Sequence, residues 1–571
     1  MPQLNIDSIK DRTFDAIVIG SGISGGWSAK ELCDRGLKTL LLERGRNVEH
    51  IKDYPTTNMM PYEFEHRGEV PLAISEKSPV VAKCYAFRED SMHFFVKDSE
   101  HPYVQEKPFD WIRGYQVGGK SLLWARQTQR WSDFDFEGPA RDGFAVDWPI
   151  RYRDIAPWYS HVEKFAGIVG DKDGLAELPD GEFLPSYGLN AVETLFKEQV
   201  AKNYKNRYVI NGRAAHISQP QPIHLEQGRG QCQNRILCQR GCPFGGYFSS
   251  NASTIPWAIK TGNLSLRPFS VVHSIIYDEQ KGKATGVRVI DSDTKEEIEF
   301  YADVIFVNAS ALNTNLILLN SVSSRFPNGL GNDSGVLGRY VAFHHYGGRV
   351  SGTYEGEMDK YTTDGRNPGG CYIPRFRNVR RQETDFLRGY AAGFSASRGY
   401  YSDTNTEGES LKDNLLNRKL GGWRVGSHMM GETIPKESNY VRLDSSKKDE
   451  WGIPQLGISI DFDDNDRKML KDYLEQMSEM FEKAGFKNIT TLETKSAPGL
   501  DIHEMGGVRM GNDPKTSMLN KWHQVHSCKN VFVTDGACMT STSTQNPSLT
   551  YMAFSARAVD YAVQELKKGN L

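Results

Sequence analysis

Three cysteines, Cys232, Cys238 and Cys242, share one glycine-rich stretch, G-R-G-Q-C-Q-N-R-I-L-C-Q-R-G-C-P-F-G-G-Y-F-S-S, over residues 228–250. Their spacing is C-x5-C-x3-C-P. Three thiolates on one loop, the last followed by proline, suit an iron–sulfur cluster. A zinc site more often pairs its cysteines as C-x2-C and needs a fourth ligand. A disulfide would leave one cysteine over. Spacing alone leaves cluster, zinc and structural thiols all open. Three ligands point to a three-iron cluster unless Cys84, Cys371, Cys528 or Cys538 supplies a fourth. Those four and Cys33 otherwise read as small buried hydrophobes.

A second set of chemistry-bearing residues lies near the end of the chain. Asp501-Ile-His-Glu-Met-Gly-Gly-Val-Arg-Met-Gly511 is followed by Asp535-Gly536-Ala and by Thr544-Gln-Asn-Pro-Ser-Leu-Thr550. A histidine such as His503 titrates near neutrality and can act as a general base. Taken alone, beside glycines, it equally fits a hydrogen-bonded core or surface position. Asn546 taken alone reads as a helix N-cap, since Pro547 follows it. The closing helix is expected to run to about Lys567, with its N-terminus near a cofactor and favouring negative charge there.

The element that must hold that cofactor is the stretch from Phe14 to Gly45. An apolar run, Ala16 to Ile19, leads into Gly20-x-Gly22-x-x-Gly25. A helical segment follows, then a second apolar strand ending at Glu43. Gly20 permits the tight turn, Gly22 lets a pyrophosphate approach the backbone, and Gly25 lets the helix pack on the sheet. Glu43 is placed to accept hydrogen bonds from a ribose diol. The strand before the glycines and the acid after them make this a dinucleotide-binding fingerprint, though the motif does not separate NAD from FAD.

Between these ends the chain offers further candidates. Gly118, Gly119 and Ser121 would bring backbone N–H groups close to an anionic or carbonyl-rich ligand, or form an ordinary turn. Residues 264–307 alternate with period two and predict a β-meander feeding a core strand, Asp303 to Val307. Val271 in that meander is a candidate to present its backbone to an adenine ring. Residues 148–166, 309–319 and 464–484 read as helices. Strands are expected near 345–354, 388–395, 422–433 and 439–443, and residues 47–110 as an irregular cover.

The chain has 571 residues, 38% of them hydrophobic, enough for two to four domains around a large core. A net charge of −3 argues against a nucleic-acid protein. No apolar run reaches the length of a membrane-spanning helix. The first residues, M-P-Q-L-N-I-D-S-I-K-D-R-T, show neither an apolar export segment nor a twin-arginine pair, so by itself the chain is expected to be cytoplasmic.

Taken together, the fingerprint, the Gly118-Gly119 stretch, Ala309 to Ser321 and everything from His503 onward resemble the glucose–methanol–choline (GMC) oxidoreductases. The resemblance implies a discontinuous α/β, Rossmann-like FAD-binding domain and an α+β substrate domain built on a large antiparallel sheet. It assigns 1–50, 111–130, 228–338 and 500–571 to the first, and 51–110, 131–227 and 339–499 to the second. It implies His503 and Asn546 as the catalytic pair. Asp535, Gly536, Asn546 and Pro547 are implied at the cofactor, beside Gly20, Gly22, Gly25, Glu43, Gly118, Gly119, Ser121 and Val271. Some relatives tether FAD through a histidine after the Gly-Gly stretch; Ser121-Leu-Leu-Trp124 holds none, so FAD is expected to be non-covalent.

The cysteine loop looks like that of the family's bacterial iron–sulfur sugar dehydrogenases, above all the catalytic subunits of glucoside 3-dehydrogenases. That similarity implies a 3Fe-4S cluster on Cys232, Cys238 and Cys242, a cytochrome c acceptor, and oxidation of a sugar or glycoside hydroxyl to a ketone at C3. It also implies a small companion subunit whose export signal takes the folded chain to the periplasm. Attack at glucose C1, fructose C5 or gluconate C2 is the alternative, as is an oxygen-using oxidase with structural cysteines.

Overall fold

The computed structural model describes residues 11–361 and 368–571; the first ten residues of the stretch read for an export signal lie outside the described residues. Ala16, Ile17 and Val18 are fully buried and Ile19 nearly so. A strand covered on both faces reads as a continuous apolar run, which is why this segment carries no alternation. It is a central strand, Thr13–Ile19, of an eight-stranded sheet. It pairs in parallel with Glu297–Val307 on one side and Thr39–Leu42 on the other. Leu264–Arg267 extends the parallel set at one end and Cys528–Val533 at the other.

The register of these pairs places the site. Ile19 is level with both Val307 and Leu42, and Val307 with Val533. The residues that follow, Gly20, Glu43, Asn308 and Thr534-Asp535, therefore emerge along one edge, at the carboxyl ends of the strands. Open α/β sheets bind ligands at that edge. The strands Ser270–Asp278 and Lys283–Asp291 form the antiparallel meander on this sheet.

The second layer is a seven-stranded antiparallel sheet containing Gly348–Tyr354, Cys371–Ile373, Tyr390–Ser397, Trp423–Glu432 and Lys487–Glu493, with His344–His345 alongside Trp423–Glu432. The helix Asp464–Lys483 covers it. Its buried residues Met469, Leu470, Tyr473, Met477, Met480 and Phe481 recur at helical spacing on one stripe. Asp463 caps it by accepting the Asp466 N–H at 3.2 Å.

A five-stranded sheet links the two layers. In it Met505–Gly507 pairs antiparallel with Arg339–Ala342, and Ala342 lies opposite Met505. Continuing that register by two residues sets His344 opposite His503.

Two local expectations need correction. The helix expected from Trp148 begins at Tyr152, where the Asp154 carboxylate accepts the backbone N–H of Arg151, the N-cap residue, at 2.8 Å. Asn546 does not cap the closing helix Ser548–Lys567: Pro547 holds the N-cap position, and the Asn546 amide turns elsewhere.

Candidate active site

A cavity of about 700 Å³ runs along the strand ends and under the seven-stranded sheet. At its dinucleotide end lie Gly20, Gly22, Glu43, Gly119, Ser121 and Val271. Gly20 has φ +95°, and a Cβ on it would lie 2.3 Å from the Asn308 carbonyl oxygen. A Cβ on Gly25 would lie 1.7 Å from the Gly20 oxygen, so the helix Ile23–Asp34 can approach the turn only with glycine there. A Cβ on Gly22, by contrast, would meet nothing within 4 Å. The backbone at Gly22, the N-cap of that helix, has no side-chain cap and faces open space, the cradle a pyrophosphate requires.

Glu43 is buried. Its Oε2 accepts the Ser21 hydroxyl at 2.6 Å and the Ser21 N–H at 3.2 Å, and its Oε1 accepts the Gly45 N–H at 3.0 Å. Burial raises its pKa. A carboxylate has about four acceptor positions, so Glu43 braces the turn and still has capacity toward the cavity. Gly118, with φ +88°, packs its Cα side against Asn251, and Ser121 braces the turn by donating to the Gly118 oxygen at 2.5 Å. Asp535 is buried, accepts the Ala537 N–H at 2.9 Å and the Thr314 hydroxyl at 2.5 Å, and is pushed up to about 6 by burial. These groups fit FAD.

The reactive end is a chain of hydrogen-bonded side chains. His503 Nε2 lies 3.2 Å from Asn546 Nδ2, and His503 Nδ1 lies 2.9 Å from His344 Nδ1. His344 Nε2 lies 3.0 Å from the Thr542 carbonyl. Asp501 Oδ2 accepts the backbone N–H of both His344, at 2.9 Å, and His503, at 3.2 Å, pinning the two segments together. Between Asp501 and His503 the β-branched Ile502 sits at φ +66°, a strained conformation the carboxylate helps to hold. Burial holds His503 well below its ordinary value of 6.5 and His344 at about 4, so both are neutral imidazoles at pH 7. A neutral imidazole facing a cavity is a base ready to take a proton. His503 and Asn546 line the cavity with Lys120 and Glu504, which pair at 3.4 Å.

Gln127, Asn190, Glu193, Tyr372 and His428 are polar residues that also line the cavity. The Tyr372 hydroxyl is buried without a hydrogen-bond partner.

The cysteine loop forms part of the same wall, through Ile236 and Gln239. All eight cysteines are free thiols, so the disulfide reading does not hold. Among the described residues, His344, Asp501 and His503 are the one trio with ligand atoms within 4.8 Å of one another; Cys232, Cys238 and Cys242 are not so close. Two thiolates on one zinc sit at most about 4.6 Å apart, twice the zinc–sulfur distance. A cluster, in which each thiolate binds a different metal atom, does not need the sulfurs that close. Burial and then the neighbouring Cys238 and Cys242 raise the Cys232 thiol.

Beside Cys242 lies Arg229, 1% exposed. It donates to the carbonyls of Gly245 and Ala166 and to Gln227, and its Nη2 has no partner. No carboxylate pairs with it among the described residues. Burial lowers its pKa to about 9, and Cys242 acts in the opposite direction. Arg126, also buried, has Nε and Nη1 unpartnered at the cavity wall. Unpaired buried guanidinium groups are costly unless an anion compensates them. Three thiolates or an anionic cluster would do so, and these residues fit one.

The structure thus brings Gly20, Gly22, Glu43, Gly119, Ser121, Val271, His503, Asp535, Gly536, Asn546 and Pro547 to one cavity. Gly25 and Gly118 act behind its wall. Sequence reasoning did not find the His344 contact, the two uncompensated arginines, or the polar residues lining the cavity, because none follows from local spacing.

Profiles of the GMC oxidoreductase family match residues 93–344 and 435–555. The chain is 27% identical to 2-methyl-1,2-propanediol dehydrogenase of Mycolicibacterium austroafricanum, over 96% of this chain and 94% of that protein. It is 26% identical to the fructose dehydrogenase large subunit of Gluconobacter japonicus, over 97% and 98%. The crystal structure of pyridoxine 4-oxidase from Mesorbium loti superposes with a TM-score of 0.61 at 15% identity, covering 96% of this chain and 99% of that one.

Proposed function

We propose, from the premise that this chain belongs to the GMC oxidoreductases, FAD-dependent enzymes acting on the CH–OH groups of alcohols and sugars, that it oxidises a ring hydroxyl of a sugar or glycoside to a ketone and exports the electrons through an iron–sulfur cluster. The observation that carries this reading is the cysteine loop forming a wall of the catalytic cavity. FAD, when bound, supplies the acceptor for the hydride that leaves the carbinol carbon, and the cluster supplies one-electron transfer onward.

The chain's own residues do the rest. His503 Nε2 takes the hydroxyl proton. The Asn546 amide donates to the same oxygen and orients it, which holds the C–H toward the acceptor. Asn190 and Glu193 are engaged in capping the helix Ala191–Asn203 and Gln127 in bonds to Gly369 and Gln129, so the Tyr372 hydroxyl and the His428 ring are the wall groups best placed to meet further hydroxyls of a substrate. Cys232, Cys238 and Cys242 would ligate the cluster, with Arg229 offsetting its charge. Attack at C3, giving a 3-keto-glycoside, follows the likeness of the cysteine loop to glucoside 3-dehydrogenases.

FAD is held without a covalent tether, since the stretch Ser121–Trp124, where some relatives carry a tethering histidine, holds none. The fructose dehydrogenase relative is a large subunit by name. By that analogy the chain works with a small subunit carrying the export signal, and with a cytochrome c, in the periplasm.

The test is to incubate the purified protein with glucose, lactose and a methyl glucoside and a dye acceptor, and to identify the products by NMR. A C3 ketone is the expected product. A lactone, or a C2 or C5 ketone, would replace the site of attack. Hydrogen peroxide formed at the rate of substrate loss in air without dye would replace the dehydrogenase reading with an oxidase.

A further inference from the structure

We propose that His344 is a positioning residue that fixes the tautomer of His503, so that the Nε2 lone pair of His503 faces the substrate. The proposal rests on the reading of His503 as the base. It follows from donors and acceptors alone. The Thr542 carbonyl can only accept, so His344 Nε2, at 3.0 Å, carries a proton and donates it. His344 is buried and neutral, so its Nδ1 has a lone pair and no proton. His503 Nδ1 faces that lone pair at 2.9 Å, and two lone pairs at this distance repel. His503 Nδ1 must therefore carry the proton and donate it. A neutral His503 then has Nε2 unprotonated.

The same logic orients Asn546. With Nε2 of His503 an acceptor, the Asn546 atom 3.2 Å from it must be the amide nitrogen. A substrate hydroxyl would take the place of that bond: the one Nε2 lone pair of His503 then accepts its proton, and an Asn546 N–H donates to its oxygen. An alcohol needs that set when its proton leaves to Nε2 and its hydride leaves the same carbon: the oxygen is held by the donor while its proton is taken. In the opposite tautomer the base would present an N–H and could not accept a proton there.

The Nδ1 atoms also face one another directly, with a proton between them. This accounts for the close approach of the His344 and His503 rings. Asp501 lies 4.0 Å from His503 Nδ1 and is engaged by two backbone N–H groups, so it holds the segments in place and leaves His344 as the acceptor.

The test is 15N NMR of histidine-labelled holoenzyme with oxidised FAD, the His503 signals being assigned by their loss in His503→Gln. His503 is expected to show a protonated Nδ1 and an unprotonated Nε2. A protonated Nε2 in the wild-type enzyme would overturn the proposal whatever substrate the enzyme takes, and so independently of the functional reading. Two variants extend the test. His344→Leu removes the acceptor and should slow flavin reduction by substrate about 10- to 100-fold, with a mixed His503 tautomer and flavin still bound. His344→Asn restores an acceptor near the Nδ1 position and should recover most of the rate and the single tautomer. A His344→Leu enzyme with an unchanged tautomer and a rate within threefold of wild type would also overturn it. If that variant does not fold, the wild-type spectrum decides.

Discussion

Arg375 Nη2 holds Asp135 Oδ1 at 2.6 Å, with both side chains at most 1% exposed. The same guanidinium reaches Glu432 at 3.1 Å, and Glu432 lies opposite His344 on the seven-stranded sheet. Asp135 in turn accepts the Ser543 hydroxyl at 2.8 Å and the Gln545 amide at 3.2 Å, just ahead of Asn546. Arg375, with the equally buried Arg388, which pairs with Glu432 at 3.0 Å and lies 4.0 Å from Asp135, thus ties both catalytic segments to the substrate sheet. Removing one partner from such a network leaves buried charge uncompensated and costs about 3–5 kcal/mol. Arg375→Met should lower the urea midpoint accordingly with the slope unchanged. A midpoint equal to wild type would show that the network contributes little.

His503→Ala should slow flavin reduction by substrate by roughly two to four decades while FAD stays bound, the usual contribution of a positioned base. Asn546→Ala should cost less, since it orients an oxygen and does not take its proton. Stopped-flow absorbance of the flavin measures both. A His503→Ala rate within about tenfold of wild type would remove His503 from the role of base.

The pH dependence follows from burial. His503 works as the neutral imidazole, and its pKa lies well below 6.5. Through this group, lowering the pH costs rate only as it passes through that depressed value, when the base becomes protonated. His503 itself should therefore cost no rate of flavin reduction at saturating substrate from pH 8 down to 6.5; in that range Asp501, which burial pushes up to about 7 and which accepts the backbone N–H of His344 and His503, can add a step of its own. A loss of rate at or above pH 6.5 that persists in Asp501→Asn would contradict the depressed His503 value.

Cys238→Ser should abolish bound iron and acid-labile sulfide and most turnover with a cytochrome, while substrate still reduces the flavin. Unaltered iron content together with unaltered cytochrome turnover would dismiss the cluster.

The sequence exposed those parts of the site whose geometry is local. The turn at Gly20, Gly22 and Gly25 is readable because each glycine answers a contact within one strand–turn–helix unit. The cysteine loop stands out in the sequence because its three thiols lie on one short stretch, and the structure sets that stretch at the cavity wall. The pairing of His344 with His503 is not, since the residues are 159 positions apart and meet only through the register of Arg339–Ala342 on Met505–Gly507. Arg229 looks like any surface arginine in the sequence; only its burial without a carboxylate gives it meaning. Asn546 shows how a local rule can mislead: Asn-Pro ahead of a helix suggests a cap, yet the tertiary contact to His503 takes the side chain instead.

The dinucleotide sheet has a further consequence, for how the chain is made. Its strand Thr13–Ile19 finds one neighbour at once, Thr39–Leu42, but its other neighbour, Glu297–Val307, is synthesised more than 250 residues later. At roughly 5–20 residues per second, that edge stays unpaired for on the order of 15–60 s on the ribosome. An unpaired apolar edge is a template for aggregation, so the nascent chain needs shielding over that interval. The carboxyl-end crevice itself is complete only when Cys528–Val533 and the closing helix have left the ribosome. Flavin uptake is therefore a post-translational event, and any chain cut short of its last 45 residues is born without a cofactor site.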